Sequence, residues 1–175
     1  MQSKIDAPSI VRFHERQLGA RDWPVMCQAT AGPGAWEWIA ANHRYNGLLW
    51  NEEARVRRLD LPPSEIAAGK RLIGRYRQKC RDTVDAIDRA LPAGPAATHL
   101  SGASAGAMID RLSILALRIH HMYLHARRLD AGTEHVQACT GELERLLAQR
   151  DELAAGLDAL LQAARRAPGP RHTHQ

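Results

Sequence analysis

The chain has 175 residues, 45% hydrophobic and 25% charged, which fits one soluble domain with a full core. Its net charge of +5 comes from arginines interleaved with Asp and Glu, with no basic stripe carrying aromatics, so the pattern argues against a nucleic-acid partner. No apolar run reaches the roughly 18 residues of a membrane span, the N-terminal MQSKIDAPSIVRFHE lacks a signal-type apolar core, and Cys27, Cys80 and Cys139 form neither a CxxC pair nor a disulfide framework. The expectation is a reduced, cytoplasmic protein without membrane insertion.

Five helices are expected in chain order. A short first helix spans about Ser9 to Leu18, with Ser9 as N-cap and Gly19 as stop. A loop rich in Gly and Pro leads to a second helix from about Ala35 to Leu59. Leu61-Pro62-Pro63 breaks the chain, and Ser64 caps a third helix. Its Ile66, Ile73, Cys80, Val84, Ile87 and Leu91 form one stripe, which ends at Pro92. Residues 92–104 have linker composition. The fourth helix, about Ser104 to Leu129, is apolar on almost every side and belongs at the centre. The fifth, Thr133 to about Arg165, carries a seam of leucines from Leu143 to Leu161. The fold expected is all-α: a single-domain up-down bundle of four long helices plus a short N-terminal helix over residues 1–166, with a disordered tail at 167–175.

The second helix puts polar groups on its apolar face. Trp36, Ile39, His43, Asn46, Trp50, Glu53 and Arg57 follow one another at spacings of three and four, so they share one side. Burying a neutral amide or hydroxyl without a partner costs roughly 2–7 kcal/mol, and a structural helix has no reason to accept such losses repeatedly. His43 and Asn46 are one turn apart. Glu53 lies about 15 Å further along the axis, which makes two layers rather than one small site.

The third helix carries Lys70, Arg71, Arg77, Gln78, Arg81, Asp82, Asp85 and Asp88 beside its stripe. They suit either a solvated face with pairs such as Arg81–Asp85 or bidentate contacts to carboxylate and phosphate. The fourth places Asp110 and Arg111 among its most apolar residues, where ionised groups must pair across helices. No Glu-x-x-His pair occurs on the central helices, so no metal or other cofactor is assigned. Ser113 and the cysteines lack an evident base.

The runs NHRYNGLLWNEEAR, GKRLIGRYRQKCRDTVDAID and GAMIDRLSILALRIHHM resemble an uncharacterised bacterial all-helical domain family. Its pattern has His-x-x-Asn, Leu-Trp, a carboxylate and Arg, then Lys-Arg, Asn-Gln-x-Arg-Asn-Asp, and an Ile-Asp-Arg-Leu-Ser-Ile-Leu run. The match covers about Asn42 to Met122. It implies importance for His43, Asn46, Trp50, Glu53, Arg55, Lys70, Arg71, Gln78, Asp82, Asp85, Asp88, Asp110, Arg111 and Ser113. The chain departs from the pattern at Arg77-Gln78-Lys79-Cys80-Arg81-Asp82, where Cys80 and Arg81 replace an Arg and an Asn. Members of that family are often encoded near lipopolysaccharide glycosyltransferases, and the resemblance implies no activity.

The leading expectation is a protein that handles an anionic small molecule in a polar pocket between the second, third and fourth helices. If it is catalytic, His43 is the general acid or base, with Glu53 or Asp110 orienting it. Asn46, Trp50, Arg71, Gln78, Asp82 and Arg111 would bind the ligand. The rival expectation is an interaction module, with the polar groups fixing helix register and the fifth helix pairing with a partner or forming a homo-oligomer. A solvent-reachable pocket favours the first expectation, and a fully satisfied network with no cavity favours the second.

Overall fold

The computed structural model describes residues 4–25, 34–91, 102–127 and 132–166. Cys27, residues 92–101 of the expected linker and the expected tail at 167–175 lie outside these residues. The regular elements are all helical: α1 (Ala7–Leu18), α2 (Ala35–Val56), α3 (Pro63–Ala90), α4 (Ala105–Ala126) and α5 (Thr133–Arg166). None is long and apolar enough to cross a membrane.

Two helix starts differ from the sequence expectation, and both are one turn or less away. The N-cap of α1 is Asp6, whose carboxylate accepts the Ser9 N–H at 2.9 Å, so Ser9 already lies inside the helix. Pro8 then occupies the first turn, where its missing N–H leaves no gap. The third helix starts at Pro63 with Pro62 as an extended cap, so Ser64 is helical and caps nothing. The fourth helix starts near Ser104 as expected, and Ser104 caps it, accepting from Ala107 N at 3.2 Å.

Side-chain pairings give the helix directions. Asn42 meets Thr83 and Glu53 meets Arg77, so α2 and α3 are antiparallel. Asn42 meets Asp110 and Trp50 meets His121, so α4 runs with α2. Arg118 meets Glu142 and Met108 lies against Gly156, so α5 is antiparallel to α4. The four long helices therefore run up, down, up, down. The short helix is more than an appendage: α1 packs on α4 and α5, with Glu15 reaching Arg150. As its apolar surface predicts, α4 touches all four other helices.

The apolar core gathers Ile10 and Phe13 from α1, Ile39 from α2, Ile87 from α3, Ile109 and Leu112 from α4, and Leu157, Leu160 and Leu161 from α5. Leu146, Leu157, Leu160 and Leu161 are buried, and Leu143, Leu147 and Leu153 are half-buried. The α5 seam is thus turned toward α4 and α1. Three of the described glycines, Gly47, Gly69 and Gly106, allow close approach. A Cβ on Gly47 would stand 2.3 Å from the Trp23 indole, and one on Gly106 would stand 2.5 Å from the Val84 carbonyl oxygen. Gly47 is thus the notch that lets Trp23 lie on α2.

Candidate functional site

One to two turns from the apolar core, the α2–α3–α4 interface becomes polar. Asn42, His43, Asn46, Thr83 and Ser113 are buried there, with Asp110 half-buried. Asp110 Oδ1 accepts from Asn42 Nδ2 at 2.8 Å and from Asn46 Nδ2 at 2.9 Å. Asn46 Nδ2 also faces Ser113 Oγ at 3.1 Å and Asn42 Oδ1 at 3.2 Å, and its carbonyl accepts from the Cys80 thiol at 3.3 Å. Asn42 Nδ2 reaches Thr83 Oγ1 at 3.2 Å, while the Thr83 hydroxyl donates to the Cys80 carbonyl at 2.8 Å. Donors and acceptors alternate through the whole layer. A buried polar set with these partners loses little on desolvation. Burial also pushes the Cys80 thiol up to about 12, with the Asp110 charge acting in the same direction, so it is no nucleophile.

The network ends at a pair of imidazoles. Ser113 Oγ lies 2.8 Å from His43 Nδ1. The direction of this bond follows the His43 tautomer: the Ser113 hydroxyl donates to a bare Nδ1 or accepts from a protonated one. There the satisfied chain stops. His43 stacks on His14 of α1 with ring centroids 4.4 Å apart, and the Trp23 indole lies 5.1 Å from His43 on another side. His14 Nδ1 and Nε2, His43 Nε2 and Trp23 Nε1 are all buried without a hydrogen-bond partner, and these are the four such side-chain atoms among the described residues. Burial holds both histidines neutral. His43 falls from 6.5 to about 3, with the His14 backbone opposing weakly and no well-formed bond reaching Nε2. His14 falls well below its usual value through burial and then through His43.

A pocket adjoins this pair. It has a volume of about 450 Å³ and lies between α1, α4 and α5. Its walls are mainly apolar, among them Val11, Leu112, Ile119, Leu143 and Leu147, with His14 contributing to the lining. Glu15, His120, Tyr123 and Arg150 are its other polar residues, and Arg150 is held between Glu15 at 3.0 Å and Asp151 at 2.8 Å. The size is ordinary for a small-molecule site.

The structure gathers only part of the expected site. His43, Asn46 and Asp110 come together, joined by Asn42, Thr83 and Ser113. Trp50 lies further up α2, stacked on His121 at 4.7 Å. Glu53 pairs with Arg77 at 2.8 Å and with Arg57 at 3.8 Å, so it belongs to a surface ion cluster and does not orient His43. Arg71, Gln78 and Asp82 are exposed on the outer face of α3, where Gln78 bonds Asp82. Arg111 is exposed on the α5 side of α4, in a separate groove with Arg118 and Glu152. The arginines flank apolar stripes, and their long stems carry the charge outward to water. Arg71 and Arg111 therefore share no anion cradle. Asp110 needs no arginine, because two amides hold it.

Sequence reasoning missed His14, Asn42 and Trp23, and left Ser113 without its His43 partner. His14 follows Ile10 by four residues, and Asn42 stands midway between Ile39 and Asn46, so both had a readable spacing. Trp23 lies in a loop, where no periodicity applies. Among the described residues, no group of three or more His, Cys, Asp or Glu side chains is placed to hold a metal ion.

No curated protein and no solved structure matches the chain. A family model described as "Protein of unknown function (DUF4254)" matches residues 36–168, from the start of α2 beyond the end of α5, and leaves α1 and Trp23 outside. The chain belongs to this family.

Proposed function

We propose that the protein binds a small molecule in the pocket between α1, α4 and α5, against the His14–His43 pair. One observation carries this reading: the four buried side-chain nitrogens without partners all fall in one imidazole–indole cluster, and that cluster adjoins a pocket of about 450 Å³. Orphaned polar atoms are expensive and call for an explanation by ligand or water. The neighbouring Asn42–Asn46–Asp110–Ser113 layer then acts as a rigid support that fixes the His43 ring. This reading moves the ligand from the α2–α3–α4 interface, where side chains fill the space with mutual bonds, to the opposite side of α4.

The test uses the uncharged fluorophore N-phenyl-1-naphthylamine, whose emission rises in apolar sites. Saturable enhancement is expected with the wild-type protein. It should disappear in Ala116→Trp, which fills the pocket from α4, with folding checked by circular dichroism. Wild-type protein that gives no enhancement, or equal enhancement in the folded variant, would overturn the proposal.

A further inference from the structure

The site also constrains its ligand, and this step rests on the reading just given. Three properties matter. The pocket walls are largely aliphatic, so most of the ligand's surface must be apolar. Its most buried polar group is the His14 imidazole, which burial keeps neutral, so it offers one N–H donor and one acceptor nitrogen. The one arginine in the lining, Arg150, is already held by Glu15 and Asp151. An ionised head group bonded to His14 would lose its hydration, and the titratable neighbour that acts on His14 is the equally buried His43. A hydroxyl matches His14 in both directions, because it donates to the bare ring nitrogen or accepts from the protonated one.

We infer that the pocket takes an uncharged amphiphile: an apolar body with a hydroxyl head that bonds His14. The His14 ring is fully buried, so the head group enters as neighbouring side chains give way. Direct recognition of a hydroxyl by an otherwise orphaned group is selective, because an analogue without it leaves the nitrogen unpaired.

The experiment is displacement of N-phenyl-1-naphthylamine at pH 7.5 by 1-decanol, decanoate, decyltrimethylammonium and decyl methyl ether. The alcohol is expected to displace the probe at concentrations at least about tenfold below the two ions and about fivefold below the ether. In His14→Leu, with displacement scaled to that variant's own probe affinity, the advantage of the alcohol over the ether should vanish. Equal displacement by alcohol and ether in the wild type, stronger displacement by decanoate, or an advantage that persists in His14→Leu would each overturn the assignment of ligand class and leave the pocket itself standing. Failure of the wild type to bind the probe would instead remove the pocket reading.

Discussion

The two sides of α4 treat buried polar groups in opposite ways. Toward α2 and α3, Asp110 and Ser113 enter a layer in which Asn42, Asn46, Thr83 and Cys80 each have partners. Toward α1, the chain of bonds ends at His43, and His14 beyond it has none. Polar residues buried a few ångströms apart thus differ in kind. The satisfied layer is complete without any other molecule and sets the register of three helices. The imidazole pair is incomplete and sits beside space. Burial alone does not mark a functional residue; burial without a partner is the more informative sign.

Acid should separate the two regions most strongly. Folding lowers the pKa of both His14 and His43, through burial first. The unfolded chain therefore binds protons that the folded one refuses. Stability is complete above about pH 6.5 and declines as pH falls, by about 1.4 kcal/mol per pH unit for each histidine, a slope that for His43 continues toward its folded value of about 3. Urea midpoints measured between pH 7.5 and 5 should show this decline, and His14→Leu should remove one proton's share of it. A variant profile parallel to wild type would contradict the neutral, buried assignment.

Breaking the satisfied layer should have the next largest effect. Asn46→Ala orphans Asn42 Oδ1 and removes one donor each from Asp110 and Ser113. The expected loss is roughly 3 kcal/mol in urea denaturation at pH 7.5. His14→Leu under the same conditions should be neutral or stabilising, because it removes a polar group that had no partner. Equal losses in both variants would abolish the distinction between the regions. Gly47→Ala pushes a methyl into the Trp23 indole and should cost roughly 2 kcal/mol by displacing it from His43. Near-ultraviolet circular dichroism reports the moved indole; an unchanged spectrum with unchanged stability would mean that Trp23 packs elsewhere. The smallest effects belong to the outer arginines. Arg71→Met and Arg111→Met should each shift the melting temperature by less than about 2 °C and leave naphthylamine binding intact.

These regions were not equally legible in the sequence. The α2 face of Trp36, Ile39, His43 and Asn46 could be read because helical period alone brings those residues together. The central position of α4 followed from its apolar surface. That same surface hid which of its residues meet which neighbour: a helix apolar all round has no face to orient, so Asp110 and Arg111, adjacent in sequence, turned out on different sides. Charges beside the α3 stripe were read as pocket lining, yet Arg71, Gln78 and Asp82 reach water, because a wheel fixes angle and not the path of a long side chain. The imidazole pair joins residues 14 and 43 from separate helices, and the pocket beside it is built from three helices. No local pattern encodes either. They arise from packing, which places α1 against α4 and α5.

The most direct test of the central claim is a pH titration of the imidazole nitrogens by nitrogen-15 NMR, with the satisfied Asn46 side-chain amide as internal reference. His14 and His43 are expected to stay neutral from pH 7.5 down to 5, and 1-decanol should shift the His14 nitrogens while the Asn46 amide holds still. Titration of His14 with an ordinary midpoint near pH 6.5, the value of a solvated imidazole, would contradict it, because such a ring is not sealed from water.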